Sequence, residues 1–419
     1  MTNPEQKTKE TASTSRRKFL QAGTATVGAL AATAITSVHG ADAAPAAGDP
    51  NGPPNIPEWM KQPGADVGSQ TYGTPSPFEK KVVRNVPKNL KQYTSASSRT
   101  PLQELDGIIT PNGVFYERHH GGIPEIDPAQ HRLMIHGLVE KPTVFSMDDI
   151  RRYPSESRIH FLECSGNPGF EAIYSKTASD LVGLVSCAEW TGVPLKTVLK
   201  DVGLKPDAKW IIAEGADAAA LTRSIPIEKC LDDAMLVYSQ NGERLRPAQG
   251  YPLRVLLPGF EGNMSVKWVR RLHVSDVPAY SREETSKYTD SMEAKSIITR
   301  PSGTQKIEKG FNEITGIAWS GHGKIARVDV STDNGKTWQS AKLQNPVLTK
   351  ALTRFRFPWI WDGQPTVILS RATDETGYVQ PSFADLKAVR GLKSFYHNNA
   401  MQPWQIAESG EVSNANVKA

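Results

Sequence analysis

Ile159-His160-Phe161-Leu162-Glu163-Cys164-Ser165-Gly166-Asn167 is the stretch from which the fold can be read. Ile159 to Glu163 has the apolar weight of a buried strand. The Ser-Gly-Asn that closes the stretch is turn chemistry. A cysteine at such a junction can present its sulfur into a cavity, and thiolate is the soft ligand that thiophilic metals select. A lone cysteine also packs well as a small hydrophobe, so the stretch by itself leaves both readings of Cys164 open.

Working outward, the flanking segments mix short helices and strands. Leu133-Met134-Ile135-His136 and Val114-Phe115-Tyr116 read as strands. Ser146 with Asp149 three residues on forms a capping box that opens a short helix to Tyr153. Pro194 starts a helix through Val198 and Leu199 that ends near Gly203. Trp210-Ile211-Ile212, Leu253 to Leu257 and Val266 to Val274 are further strands, and Met235 to Tyr238 with Asn241-Gly242 predicts a hairpin. Residues 101–292 thus lack a regular βαβ repeat, which favours an α+β domain over a doubly wound sheet.

From 293 to 410 the pattern changes. Glu313–Trp319, Ala326–Ser331, Thr337–Leu343, Phe355–Trp361 and Thr366–Thr373 alternate as strands, with tight turns at Asn334-Gly335 and Asp362-Gly363. Short strands at this spacing predict an all-β sandwich of immunoglobulin-like type. Residues 411–419 read as a tail. Residues 44–100 form a Pro/Gly-rich arm without hydrophobic period, eight prolines falling between Pro45 and Phe78.

At the front, Ser15-Arg16-Arg17-Lys18-Phe19-Leu20 precedes an uncharged Ala-rich run and the small-x-small pattern Ala41-Asp42-Ala43. Residues 1–43 read as a twin-arginine export signal, not a membrane span. This route carries folded proteins, so the expected address is the periplasm and a cofactor inserted before export is expected. The 419-residue chain carries +5, and residues 1–43 contribute five Lys/Arg and three Asp/Glu, leaving +3. That is too mild for nucleic-acid binding. Three cysteines (Cys164, Cys187, Cys230) do not make a disulfide scaffold. Cys187 and Cys230 read as buried thiols. No C-x-x-C-H occurs, so no haem is expected in this chain, and no Gly-rich nucleotide motif follows a strand.

Two further clusters carry charge where chemistry could use it. Phe115-Tyr116-Glu117-Arg118-His119-His120 sets an arginine fork, suited to an oxyanion, beside two histidines. Neighbours on a strand point to opposite faces, so the histidines do not make a paired metal site. Arg254 lies inside the apolar strand Leu253 to Leu257, and Lys267 in Ser265-Val266-Lys267-Trp268. A charge there wants an anion or an internal salt bridge, and the sequence leaves both open.

Five motifs in this order resemble the sulfite oxidase family of molybdenum-cofactor enzymes: F-x-x-R-x-H at Phe115 to His120, C-x-G-N at Cys164 to Asn167, E-G-x-D at Glu214 to Asp217, P-x-R-V at Pro252 to Val255, and S-V-K-W at Ser265 to Trp268. The resemblance implies a molybdopterin domain followed by an immunoglobulin-like dimerisation module, hence a homodimer. It implies that Cys164 ligates molybdenum. It further implies that Tyr116, Glu117, Arg118, His119, His120, Asp217, Gln249, Arg254, Ser265, Val266 and Lys267 hold the pyranopterin and its phosphate. Arg118 and Tyr288 would serve catalysis, Arg118 stabilising an anionic sulfur–oxygen group and Tyr288 lying in the substrate pocket. Read from its neighbours Arg282-Glu283-Glu284 and Lys287 alone, Tyr288 is a surface residue. The chain departs from the family's animal members at Gln249, where they carry a histidine; glutamine keeps the hydrogen bonds but takes no proton. The arm, with Pro57-Glu58-Trp59-Met60 and Tyr72-Gly73-x-Pro75-Ser76, resembles the sulfane-oxidising branch. That branch implies a sulfur-carrier protein as substrate and a c-type cytochrome subunit as electron acceptor.

Overall fold

Pro194 closes the strand Val185–Pro194 and caps the helix Leu195–Val202, which stops at Gly203 with φ of 69°. The helix Met147–Arg152 is opened by the expected capping box, Ser146 and Asp149 each bonding the other's backbone N–H at 2.9–3.2 Å. These local signals sit in a computed structural model that describes residues 63, 76–86, 96–168, 174–279, 290–391 and 396–416. The signal region 1–43 and Tyr288 lie outside the described residues.

Two five-stranded sheets build the first domain. One is antiparallel, running Glu243–Arg244, Met235–Gln240, Val185–Pro194, Glu156–Glu163, with Arg254–Leu256 also pairing Met235–Gln240. The other runs Thr143–Phe145, Leu133–Gly137, Val269–Ser275, Trp210–Gly215, Thr222–Pro226. Its single parallel pair, Leu133–Gly137 with Val269–Ser275, makes the sheet mixed. Leu195, Val198 and Leu199 of the helix, Leu133, Ile135 and Leu272 of the mixed sheet, and Leu236 and Val255 of the antiparallel sheet share one core. The domain is α+β.

The second domain is a two-sheet sandwich. One sheet orders Lys295–Arg300, Gly310–Trp319, Thr353–Trp361, Lys342–Leu343, and the other Gln339–Ser340, Ile325–Ser331, Thr366–Asp374, Trp404–Ile406, Val412–Asn414. Its core, with Trp319, Phe355 and Trp404 fully buried, runs on into Leu102, Phe161 and Val185 of the first domain.

Several elements differ from expectation. Asn112–Val114 is a 3-10 turn and the strand starts only at Glu117 (Glu117–His119), because Phe115 is buried edge-on to Trp190 at 5.6 Å. Thr337–Leu343 is two strands, Gln339–Ser340 and Lys342–Leu343, sent to opposite sheets around Ala341. The strand after Ser265 begins at Val269, since Trp268 takes a positive φ of 53°. Within the range read as the arm, Ala96–Ser98 pairs antiparallel with Glu117–His119. The sandwich also continues past 410, Val412–Asn414 pairing with Trp404–Ile406. Among the described residues no helix is long and apolar enough to cross a membrane.

Candidate cofactor and active site

Residues from four separate segments converge on one cleft. Tyr116, Arg118, His119 and His120 lie on or directly beside the short strand Glu117–His119, which pairs with Ala96–Ser98. Cys164 follows Glu156–Glu163, Asp217 and Leu221 follow Trp210–Gly215, and Gln249, Arg254, Gly262, Asn263, Ser265, Lys267 and Trp268 complete the wall.

Cys164 is half-buried, its loop fixed by Cys164 N–H to Leu184 O (3.0 Å) and Asn167 N–H to Cys164 O (3.0 Å). Burial raises its pKa, opposed by the Gly166 N–H and the Arg118 charge. A thiolate here therefore wants a cation. Among the described residues no three His, Cys, Asp or Glu side chains converge as a metal cage. A metal at Cys164 must accordingly bring most of its own ligands, as one carried on an organic cofactor does.

Part of the lining is cationic. Arg254 is 4% exposed, with Nη1 donating to Gln249 O at 3.2 Å and Oε1 at 3.4 Å, its guanidinium 5.5 Å from the Trp190 ring. Its Nε has no partner. No carboxylate pairs with it among the described residues, so the internal salt bridge left open above is absent. Burial lowers its pKa to about 10. Lys267 Nζ donates to Arg118 O (3.0 Å), Ala248 O (3.1 Å) and His119 Nδ1 (2.8 Å), and burial with the Arg254 charge holds it well below the usual lysine range. Against these cations the wall sets one carboxylate, Asp217, 8% exposed. An orphaned buried guanidinium nitrogen beside a second depressed cation is the donor set of an anion site, and a phosphate-bearing cofactor fits it.

The remaining residues named from sequence fall into two groups. Gln249 is buried, its Nε2 donating to Tyr116 O at 2.9 Å, so it ties the Tyr116 backbone to Arg254. Tyr116 is buried in the cleft, with its phenol pushed upward by burial and by Cys164. Ser265 borders the cleft while its Oγ accepts from Leu257 N–H at 3.0 Å. Arg118 Nη1 donates to His119 O at 2.6 Å. His119 and His120 both border the cleft. Glu117 and Val266 do not. The Glu117 carboxylate accepts from Arg84 and from Ser98 Oγ (3.3 Å) and lies 3.6 Å from His119 Nε2. Val266 is packed in the first domain's core. The cleft also includes Leu221, Gly262 and Asn263, to which the sequence reading gave no role. Asn263 accepts from Arg223 Nε at 2.7 Å and donates to Ser165 Oγ at 3.3 Å, next to Cys164. Cys187 and Cys230 are buried free thiols remote from this wall.

Comparison with known proteins agrees with this geometry. Residues 120–283 match the oxidoreductase molybdopterin binding domain and residues 286–403 the Mo-co oxidoreductase dimerisation domain. Human mitochondrial sulfite oxidase is 30% identical over 375 residues, spanning 78% of this chain and 68% of that protein. The chain belongs to the sulfite oxidase family of molybdenum-cofactor oxidoreductases. Its cofactor is accordingly molybdenum held on molybdopterin. A crystal structure of the sulfane dehydrogenase SoxCD from Paracoccus pantotrophus is similar with a TM-score of 0.84 and 45% identity, covering 87% of this chain and 97% of that one. An Ulva prolifera NADH nitrate reductase is 31% identical over 334 residues, covering 66% of this chain and 38% of that protein.

Proposed function

We propose that this chain is the molybdenum-bearing catalytic subunit of a periplasmic dehydrogenase. It oxidises sulfane sulfur carried on a cysteine of a second protein and hands the electrons to a c-type cytochrome subunit. The observation that carries this reading is the likeness to SoxCD, whose 45% identity across 87% of this chain exceeds the 30% shared with the human sulfite oxidase. The dimerisation domain supports a homodimer.

When bound, the cofactor supplies the redox chemistry. The chain's own residues bind and orient. Cys164 holds the metal. Arg254, buried without a carboxylate partner, and the half-buried Lys267 take the anionic tail. Arg118 lends a fixed charge at the cleft wall to a sulfur–oxygen anion as it forms. Tyr288 is assigned a neutral phenol that donates a hydrogen bond to the same oxygen.

Free sulfite is the second reading, favoured by the sulfite oxidase relatives and by the cationic wall, which suits a small oxyanion. Steady-state reduction of a c-type cytochrome by the holoenzyme separates the two. The first reading expects a higher kcat/KM for sulfane on a carrier-protein cysteine than for sulfite. Turnover of sulfite with none of the carrier-bound sulfane would establish the second instead.

A further inference from the structure

The residue that precedes the metal-ligand cysteine is a carboxylate with no access to solvent. Glu163 Oε1 accepts from Lys295 Nζ at 2.6 Å and from Asn167 Nδ2 at 3.1 Å, and Oε2 accepts from Trp319 Nε1 at 2.6 Å. Lys295 Nζ donates as well to Asn167 O at 2.5 Å. Glu163 is 0% and Lys295 3% exposed at the side chain. The loop Cys164–Asn167 is therefore grasped at both ends by one ammonium, which belongs to the sandwich domain.

A third contact reaches the middle of the loop from the same domain. His397 N–H donates to Ser165 O at 2.8 Å. The buried His397 ring lies with Nε2 3.3 Å from Glu261 Oε2, and Glu261 opens the turn Gly262–Met264 that supplies the cleft with Gly262. Arg390 in turn bonds His397 O and Glu293. Lys295, Trp319 and His397 come from three segments of the sandwich, and all converge on the five residues around the cysteine.

Stability alone does not account for this. A buried ion pair recovers little more than its desolvation cost, and packed hydrocarbon of the same volume serves folding as well or better. What a lysine with three directed donors adds is geometry. We infer that the sandwich domain, beyond its dimerising role, is a structural part of the molybdenum site. Lys295 is a positioning residue that fixes the Cys164 loop, assisted by Trp319 and His397. The inference rests on the molybdopterin site itself and is independent of which sulfur substrate is oxidised.

The test uses the full-length holoenzyme with Glu163→Gln and Lys295→Met combined, so that neither charge is left buried alone. Three readouts accompany it: molybdenum per folded chain, the Mo(V) electron paramagnetic resonance signal, and the alkylation rate of Cys164 in cofactor-free protein. A loss of molybdenum affinity of roughly tenfold or more is expected, as for other groups that orient a metal ligand, with an altered Mo(V) signal and faster alkylation. Lys295→Arg, which keeps charge and donors, should recover part of the loading. Lys350→Met is the control, because the Lys350 ammonium pairs with Asp233 at 2.6 Å, crossing between the same two domains without bonding any residue of the loop, while its backbone carbonyl contacts to His160 and Phe161 are untouched by the substitution. It should leave all three readouts unchanged. Should the double variant fail to fold, Trp319→Phe removes the indole donor together with part of a buried ring, and its loading, signal and alkylation are read against its own change in Tm. Wild-type loading, signal and alkylation in the variants, or equal damage from Lys350→Met, would overturn the inference.

Discussion

Lys267 Nζ lies 2.8 Å from His119 Nδ1 in the wall of the cofactor cleft. With Lys267 as the ammonium, Nζ donates and the imidazole is neutral with its proton on Nε2, on the side of Glu117. Burial, then the Lys267 and Arg118 charges, lower the His119 pKa to about 3, against an ordinary 6.5. The sign follows from proton counting. Between pH 6.5 and 3 the unfolded chain binds a proton at this site that the folded chain refuses, so stability is fully present above 6.5 and drains as pH falls. His160, lowered to about 4 by burial, acts in the same direction. Denaturant unfolding of His119→Asn between pH 6 and 4 should therefore show a pH dependence shallower than the wild type by about 1.4 kcal/mol per pH unit, the worth of one proton. An unchanged slope, or a His119 resonance titrating near 6.5, would refute this proton placement.

Arg254 predicts a trade between folding and function. A guanidinium that is 4% exposed and has no carboxylate beside it costs desolvation that the cofactor-free chain does not recover. Arg254→Met should stabilise the cofactor-free protein by about 1 kcal/mol or more, seen as a raised Tm, and should abolish cofactor retention. Arg254→Lys keeps the charge but loses the fork, so intermediate loading is expected. A destabilised cofactor-free Arg254→Met protein would show that the orphaned Nε is not a burden the fold carries for its ligand.

Much of this was legible in the sequence, for definite reasons. Asn334-Gly335 adopts the positive φ pair (62° and 80°) that its residue types favour, so that hairpin could be read locally. Cys164 could be read because a strand and a glycine turn meet beside it. What the chain does not announce is where side chains point when the backbone leaves regular geometry. Val266 sits between two cleft residues in the motif, yet the irregular backbone ahead of the strand turns it into the core. Glu117 likewise turns away from the cleft to Arg84 and Ser98. Gly262 and Asn263 belong to a turn without period, and only tertiary packing brings them to Ser165 and Tyr116. The split of Thr337–Leu343 was hidden for a similar reason: alternation identifies strand residues, not the sheet each joins.

The thiols should sort by reactivity. Cys187 and Cys230 are fully buried, and burial pushes the Cys187 thiol up to about 12 and raises that of Cys230 as well. In cofactor-free protein under native conditions, an alkylating reagent should modify Cys164 alone, with the other two labelled only after unfolding, as read by peptide mass spectrometry. Cys164→Ser should abolish molybdenum binding and leave Tm within a few degrees, since Sγ lies at a cleft and not in a packed core. Molybdenum retained by Cys164→Ser would remove the basis of the site.

Gly262 offers the sharpest steric test of the cleft. A methyl group added there would stand 2.6 Å from the Tyr116 hydroxyl and 2.8 Å from the carbonyl oxygen of Glu163. The first contact could be relieved by moving a ring, but Tyr116 is buried and stacked on Phe115 at 5.7 Å. The second is backbone, in the residue that precedes Cys164, and cannot give without shifting that cysteine. Gly262→Ala should thus cost about 1–3 kcal/mol of stability, the range for overpacking a well-filled interior, and should lower molybdenum content more than Tm alone accounts for. A paired Tyr116→Phe, Gly262→Ala variant separates the two contacts. If relief of the phenol restores loading, the tyrosine was the obstacle; if loading stays low, the displaced Glu163 carbonyl and the cysteine behind it are responsible, which is the expected result. A Gly262→Ala protein with wild-type stability and full molybdenum would mean that this turn does not press on the cysteine loop at all.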